Sequence, residues 1–316
     1  MQDKTKLYLL VMLSVCVAGL FIGVGLNADN YQYFLSRRIP KVLAMILAGV
    51  AIAQSSVAFQ TITHNRILTP SIMGFDALYL LAQVLVVVTL GTTSYFTVNA
   101  YANFALSTTV MVGASGVLFW LYFRRDRPNL MVLLLVGIVI GAVLGNIASF
   151  FTMLMSPNDF AALQSMMFAS FNNVKTSLVY VTTPLMLFIT WRLFRYHRVL
   201  DVFWLDQDNA TSLGVDVFRI TRNVLLLSAI MIAISTAIVG PVLFFGLLIS
   251  NLTREWFRTF QHRILLFASS AMAVCTLLSG QWVVEKVFAF NTTLSVIINF
   301  IGGIYFLSLL LRNKVV

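Results

Sequence analysis

Charged side chains are scarce in this 316-residue sequence: Asp, Glu, Lys and Arg together make up 10%. A soluble domain of this size carries about a quarter, so a soluble enzyme or scaffold is excluded. Cysteine is nearly absent. Cys16 and Cys275 both fall inside apolar runs, which excludes a disulfide framework and predicts two buried thiols. The chain has no Gly-Lys pair and therefore no G-x-x-x-x-G-K-[ST] phosphate loop; nucleotide-driven work must come from a separate subunit. It has no His-Glu-x-x-His or comparable metal-ligand spacing. No charge falls at the centre of any long apolar run, which argues against proton- or ion-coupled carriers, since these keep ionisable groups at membrane depth. Internal repeats of the kind that mark many secondary carriers are not evident either.

What the sequence has in excess is apolar length. Hydrophobic residues make up 59% and the mean hydropathy is +0.91. Ten runs approach the roughly 20 residues a helix needs to cross the hydrocarbon core: 7–26, 42–61, 70–90, 100–123, 131–155, 178–194, 224–239, 242–251, 264–279 and 294–311. The seventh and eighth are separated only by Gly240-Pro241, which cannot continue a straight helix. The fold expected is all-α and integral to the membrane, with about ten transmembrane helices. Lys4 and Lys6 precede the first run without a small-residue cleavage site after it, so that run is read as a span and not as a removable signal.

An even number of spans puts both termini on one side. With the N-terminus inside, sixteen of the 21 Lys and Arg fall in inner segments and five, Arg37, Arg38, Lys41, Lys175 and Lys286, in outer ones. Cations favour the cytoplasmic side, so both termini are expected there. The net charge of +10 then follows from topology and gives no support to nucleic-acid binding. Arg37, Arg38 and Lys41 remain an exception to the bias.

Two small-residue patterns invite functional readings. Gly113-Ala114-Ser115-Gly116 resembles the nucleophile motif of rhomboid intramembrane proteases. A serine nucleophile needs a base within reach, and His64, His197 and His262 all lie in predicted inner loops. Close helix contact through small residues is the better account, and an intramembrane serine protease is rejected. Gly137, Gly141 and Gly145 form a stripe on one helix face and are expected to pack against a neighbour. The longest inner loop, 192–223, holds a short helical piece at 208–213 ending at Gly214, where a left-handed cap is cheap. Val202, Phe203, Trp204, Leu205, Leu213 and Val215 give it more apolar surface than a connector needs, which points to a docking partner.

Arg38-Ile39-Pro40-Lys41-Val42-Leu43, followed by Leu47-Ala48-Gly49, Ser55 and Gln60, resembles the R-x-P-R-x-L…G…S-G…Q pattern of FecCD-type permeases. These are the membrane subunits of ABC importers for iron–siderophores, haem and cobalamin. Asn65-Arg66-Ile67-Leu68-Thr69-Pro70-Ser71-Ile72-Met73-Gly74 resembles the family's N-P-L-A-x-P-x-x-L-G. Asp208 to Val215 is similar to its E-x-x-A-x-x-L-G-V/L loop, and Gly240 to Leu247 with His262-Arg263 to its G-x-x-G-F-x-G-L…H-R. The matches keep family order and cover nearly the whole chain.

The resemblance implies a single polytopic permease domain over 1–316 in the bacterial inner (cytoplasmic) membrane. It pairs with a second permease subunit, identical or a sister chain, and is worked by two cytoplasmic ATPases that bind ATP and Mg. An extracytoplasmic substrate-binding protein feeds it. The chain itself binds no cofactor or metal and has no catalytic residue. Carried over by position, Arg38 and Lys41, with Arg37 adjacent, would dock the binding protein. Asp208, Ala210, Leu213, Gly214 and Val215 would form the ATPase coupling helix. Asn65 and Ile67, with Leu130 and Met131, would narrow the inner mouth. The chain departs from the family at Asn65-Arg66-Ile67 for Asn-Pro-Leu, at Ser55-Ser56 for Ser-Gly and at Ser250-Asn251 for Pro-His. The docking arginine expected near 280–284 is missing, and Lys286 is its candidate substitute. The expected cargo is a ferric siderophore, with a lean towards the catecholate type. A secondary carrier of a small polar solute that needs no ATPase is the rival reading.

Overall fold

The helix Tyr31–Ile62 (α2) is the axis of the molecule, and its composition explains why. From Ala44 to Ile62 it carries small and branched apolar residues with almost no solvent-facing side chain, and Ala44, Ala51, Ala53 and Ala58 are fully buried. Small residues let neighbouring backbones come close. Gln2–Gly23 (α1) precedes it. After a 3-10 turn at Pro70–Met73 come Phe75–Leu90 (α3), the single turn Tyr95–Val98 (α4), Ala100–Phe123 (α5), Leu130–Met153 (α6) and Pro157–Met167 (α7). The second half comprises Thr176–Phe194 (α8), His197–Phe203 (α9), Gln207–Ser212 (α10), Val217–Val239 (α11), Phe245–Trp256 (α12), His262–Lys286 (α13) and Leu294–Leu311 (α14). The computed structural model describes residues 2–27, 31–124, 130–172, 174–205 and 207–311, and among these there is no strand.

Each of the ten predicted spans coincides with a helix. Seven, α1, α2, α5, α6, α8, α11 and α13, are long and apolar enough to cross a membrane, while α3 and the apolar part of α14 are shorter. The eighth predicted span is a correction. It folds as α12, whose 12 residues reach about 18 Å at 1.5 Å per residue, short of the roughly 30 Å hydrocarbon core. The Gly240-Pro241 break is where the sequence places it: α11 ends at Val239 and α12 begins at Phe245.

Helix ends follow local chemistry. Asn99 caps α5 by accepting from the Tyr101 and Ala102 amides, and Asp216 caps α11 by accepting from the Arg219 amide. Ser156 and Pro157 start α7. α2 packs against α11 and α13, with α8 and α12 beside it, and α1 lies along α13, where the Ser14 hydroxyl donates to the Leu10 and Ala271 carbonyls.

The glycine stripe on α6 packs as expected. Gly137 faces Met73 and Gly141 meets Gly74 backbone to backbone. A Cβ on Gly74 would stand 2.6 Å from Gly141 Cα, and Gly74 has φ +88°. Only glycine satisfies both conditions.

Two expectations fail. Cys16 is exposed and Cys275 half-buried, because α1 flanks the bundle with little of its apolar surface inside the chain. At Gly113 and Gly116 an added Cβ would meet nothing within 4 Å, so these glycines make no close helix contact. Their helix borders an apolar cavity of about 610 Å³ between α3, α5 and α6.

Candidate functional site

The residues with candidate roles lie in three places: the start of α2, the loops around the ends of α2, α12 and α13, and the broken third span.

At the start of α2, Arg37 is exposed, with its guanidinium over the Tyr33 ring. Arg38 is half-buried and donates to the Ile22 and Val24 carbonyls at 2.8 and 2.6 Å. It thereby satisfies groups at the end of α1 that have no partner within that helix. Lys41 is ion-paired with Glu285 of α13. Gln281 donates to Glu285 at 3.1 Å and to Asn172 at 3.0 Å, and Asn172 also accepts from Lys41. Lys286 is exposed in the last turn of α13. Of the four cations, Arg37 and Lys286 therefore face outward, while Arg38 and Lys41 tie α2 to α1 and α13. Nothing local in the sequence marks the Lys41–Glu285 pair, whose partners lie 244 residues apart.

At the other end of α2, the Asn65 side chain accepts from the Ile67 amide at 2.9 Å, a side-chain turn that bends the chain out of α2. The Arg66 carbonyl accepts from Gln60 at 2.7 Å and from Asn251 of α12 at 2.9 Å. Asn251, a departure from the family pattern, thus fastens α12 to another departure, Arg66. The third is accommodated too. Ser56 is buried against Gly246, where any added Cβ would overlap the Ser56 hydroxyl. Leu130 packs on the core, and Met131 is exposed at the start of α6. The structure gives these two no hydrogen bond to Asn65 or Ile67.

A polar relay that sequence reading missed runs from this end of α2 to the long loop. His262, at the start of α13, is fully buried. Its ring Nδ1 and its backbone amide both meet Asp201 Oδ1 of α9, at 2.8 and 2.6 Å. Asp201 thus caps α13 from another helix, while Gln261, the residue before α13, makes no side-chain cap. On the other ring edge, Nε2 meets Thr61 Oγ1 of α2 at 2.7 Å, and Arg254 of α12 donates to the same hydroxyl at 3.0 Å. Trp204 receives the guanidinium groups of Arg254 and Arg66 at 5.0 and 5.6 Å from its ring centroid. Burial would push the Asp201 carboxyl up, but the hydrogen bonds from His262 and the nearby imidazoles outweigh it and hold the carboxyl below its usual range. The pairing His262-Arg263 was visible in the sequence; its partner Asp201 was not.

The helix α10 is the short piece expected in the loop, and it ends as expected. The Val215 amide donates to the Ala210 carbonyl at 3.1 Å and the Gly214 amide to the Thr211 carbonyl at 2.9 Å, with Gly214 at φ +81°. This is the double-bonded left-handed cap that favours glycine. Ala210 is buried, Leu213 is 64% exposed, and Trp204 and Leu205 beside it are also exposed. The Asp208 side chain lies outside the described residues.

The broken third span overturns one expectation, the absence of ionisable groups at membrane depth. Asp76 is the second residue of α3, next to the Gly74–Gly141 contact. Gly141 stands near the middle of the 24-residue α6, so Asp76 sits roughly halfway through that helix's length. It is 6% exposed, and neither carboxylate oxygen has a hydrogen-bond partner among the described residues. The sequence hid this because the third apolar run counts six residues before Asp76, four of which fold as the 3-10 turn.

Ser115, the supposed nucleophile, donates to the Val112 carbonyl of its own helix. His262 is engaged as above, and the His197 ring meets the Phe194 carbonyl.

A helical membrane bundle with no catalytic constellation among the described residues, and with a capped short helix offering apolar surface on its longest polar loop, has the form of a transport subunit. The chain matches the FecCD transport family over residues 6–312, and it belongs to that family. It is 44% identical over 99% of both chains to the petrobactin import system permease protein YclO of Bacillus subtilis. It is 32% identical to the petrobactin import system permease protein FatC of Bacillus anthracis, over 99% of this chain and 91% of that one. Its fold is similar to that of a solved chain described as a metal-chelate type ABC transporter in an inward-facing conformation. That match has TM-score 0.85 and 21% identity, over 98% of this chain and 99% of that one. The chain is thus a multi-pass membrane permease of an ABC importer and not an enzyme.

Proposed function

We propose that this chain is the permease of a ferric-siderophore importer, with petrobactin or a closely similar chelate as cargo. The observation that carries the cargo is the full-length similarity to a petrobactin permease at 44% identity. The catecholate lean belongs to the same proposal. The chain forms the pathway with a second permease subunit. Two ATPases bind ATP and Mg below it, and a binding protein delivers the chelate from above.

The inner loop is suited to receive an ATPase. Trp204, Leu205 and Leu213 present apolar surface beside the capped end of α10, and unpaired apolar surface of this kind marks contact sites. Motion imposed on α9 and α10 has a rigid route upward, through Asp201 to His262 at the head of α13 and through Thr61 and Arg254 to α2 and α12. Arg37 and Lys286 are exposed and suited to steering a binding protein. Arg38 and Lys41 hold the rim on which it would land. Asn65, Ile67, Leu130 and Met131 would form an uncharged inner constriction, suited to a pathway that must release its cargo.

Uptake of radioactive iron as ferric petrobactin, in cells with and without this chain, tests the cargo. Uptake should require the chain and be competed by other catecholate chelates. Uptake of haem or cobalamin in its place would overturn the assignment.

A further inference from the structure

The cavity of about 610 Å³ is walled by α3, α5 and α6. Both α5 and α6 pack on α3, and α5 carries four small residues in succession, Gly113 to Gly116. Ala114 and Ser115 line the cavity, and an added Cβ on either flanking glycine would meet nothing within 4 Å. Apart from Ser115 and Tyr122 the lining side chains are apolar, and the Ser115 hydroxyl is spent on the Val112 carbonyl. Val117 and Leu121 line the cavity and are also more than half exposed. They form its lip, so the cavity is a groove that opens sideways from the bundle.

The groove has the depth of one leaflet. On α6 its lining runs from Val132 to Leu144, about 18 Å at 1.5 Å per residue, and starts near the beginning of Leu130–Met153. On α5 it runs from Ala114 to Tyr122, within the second half of Ala100–Phe123. The whole hydrocarbon core is roughly 30 Å thick, so the groove ends near its middle. At the other end stands a cation. Val117, Leu121 and Arg124 follow one another on one face of α5, four and three places apart. Arg124 is exposed, with its guanidinium over the Trp120 ring at 5.3 Å from the centroid. Trp and Arg at the end of a span sit at the level of the lipid headgroups. From this arrangement we infer that the groove holds one acyl chain of an anionic phospholipid whose phosphate is bound at Arg124.

The chemistry selects that occupant. A wall with so few free polar groups offers a hydrophilic solute nothing in exchange for its water, whereas an acyl chain enters from the side without leaving hydrocarbon. A methylene group displaces roughly as much as a water, about 30 Å³, so the volume admits about 20 of them, enough for one full chain. The guanidinium offers a rigid fork of donors that matches phosphate oxygens, and a headgroup of net negative charge adds attraction that a zwitterionic one lacks.

The test uses the full chain purified in detergent and offered equimolar phosphatidylglycerol and phosphatidylcholine, with the retained lipid counted by native mass spectrometry. The wild type should retain phosphatidylglycerol about fivefold over phosphatidylcholine, the preference that one basic residue at the headgroups confers. Arg124→Gln should bring the two lipids to parity, and Arg124→Lys should keep most of the preference. Arg195→Gln, in the matching Trp191–Arg195 pair at the end of α8, should leave it unchanged. Ala114→Phe fills the groove from within and should lower retention of both lipids at least about threefold, the loss of a handful of packing contacts; Val117→Trp, at the lip, serves if that variant does not fold. Equal retention of the two lipids by the wild type, a preference that survives Arg124→Gln or falls equally in Arg195→Gln, or full retention in both groove variants would overturn the site. So would displacement of the retained lipid by a second permease subunit or by a ferric chelate, which would assign the groove to a protein interface or to the cargo.

Discussion

Replacing Asp201 with alanine removes one carboxylate oxygen that serves two donors of His262, the backbone amide at 2.6 Å and ring Nδ1 at 2.8 Å. Loss of a helix cap costs about 0.5–2 kcal/mol, and a buried ring N–H left without an acceptor costs about 1–3 kcal/mol. His262 is fully buried, so water cannot take over the bond. The two losses share one partner and overlap, giving about 2–4 kcal/mol in all. For a chain of this size that corresponds to a fall in unfolding temperature of about 4–10 °C, or a matching loss of half-life at fixed temperature if unfolding is irreversible. Asp201→Asn, which keeps an acceptor oxygen, should lose less than half as much. A double-mutant cycle with His262→Ala should then show a coupling of at least about 1 kcal/mol, because the second substitution removes donors that the first has already orphaned. In the reconstituted importer, Asp201→Ala should leave ATP hydrolysis largely intact and lower uptake per ATP. An unchanged unfolding temperature with fully additive single effects would refute the assignment of Asp201 as the tie between the inner loop and α13.

Other substitutions probe the remaining elements. Gly74→Ala and Gly141→Ala each force a Cβ within 2.7 Å of facing backbone and should lower the yield of folded protein severely, since facing backbone cannot yield; Gly145→Ala, whose nearest neighbour is 3.9 Å away, should express normally. Gly214→Val should cost about 1–2 kcal/mol of left-handed strain and uncouple ATP hydrolysis from uptake, while Gly214→Asn keeps most transport, as measured by uptake per ATP. Lys41→Glu places two carboxylates together and should destabilise the junction of α2 and α13, with the swap Lys41→Glu/Glu285→Lys recovering the loss in thermal unfolding. Arg37→Glu should slow binding-protein association at low salt and bring it closer to the rate at high salt, read by surface plasmon resonance. The folded pKa of Asp201 lies below its unfolded value, so its contribution is complete above about pH 4–5 and disappears as pH falls through the folded value. Acid unfolding of Asp201→Asn should accordingly begin from a lower plateau and show a shallower fall in that range.

Much of the fold was legible in the sequence because apolar length is a strong signal. The ten runs, the break at Gly240-Pro241 and the glycine stripe on α6 all correspond to structure. Gly214 was legible because a left-handed cap has a local chemical cause. What was not legible depends on distance along the chain. The partners Lys41–Glu285 and Asp201–His262 lie 244 and 61 residues apart, and nothing local marks them. α12 was counted as a crossing because residues 242–251 are apolar, yet hydropathy cannot distinguish a span from a short helix buried among other helices. Asp76 was overlooked for a related reason: position within an apolar run measures depth only when the whole run is helix, and here a 3-10 turn occupies its start. The glycines flanking Ser115 show the converse error, since small residues permit close contact without requiring it.

Under the proposed function the chain is a gate without a motor, moved by ATPases through the long loop and supplied by a binding protein. Proteoliposomes containing the chain and its partner subunits measure this most directly. Ferric-siderophore flux should require the ATPases, ATP with Mg and the binding protein together, and should stop when any one is withheld. Flux through the purified chain alone, driven by an ion gradient or by the chelate gradient without nucleotide, would contradict it.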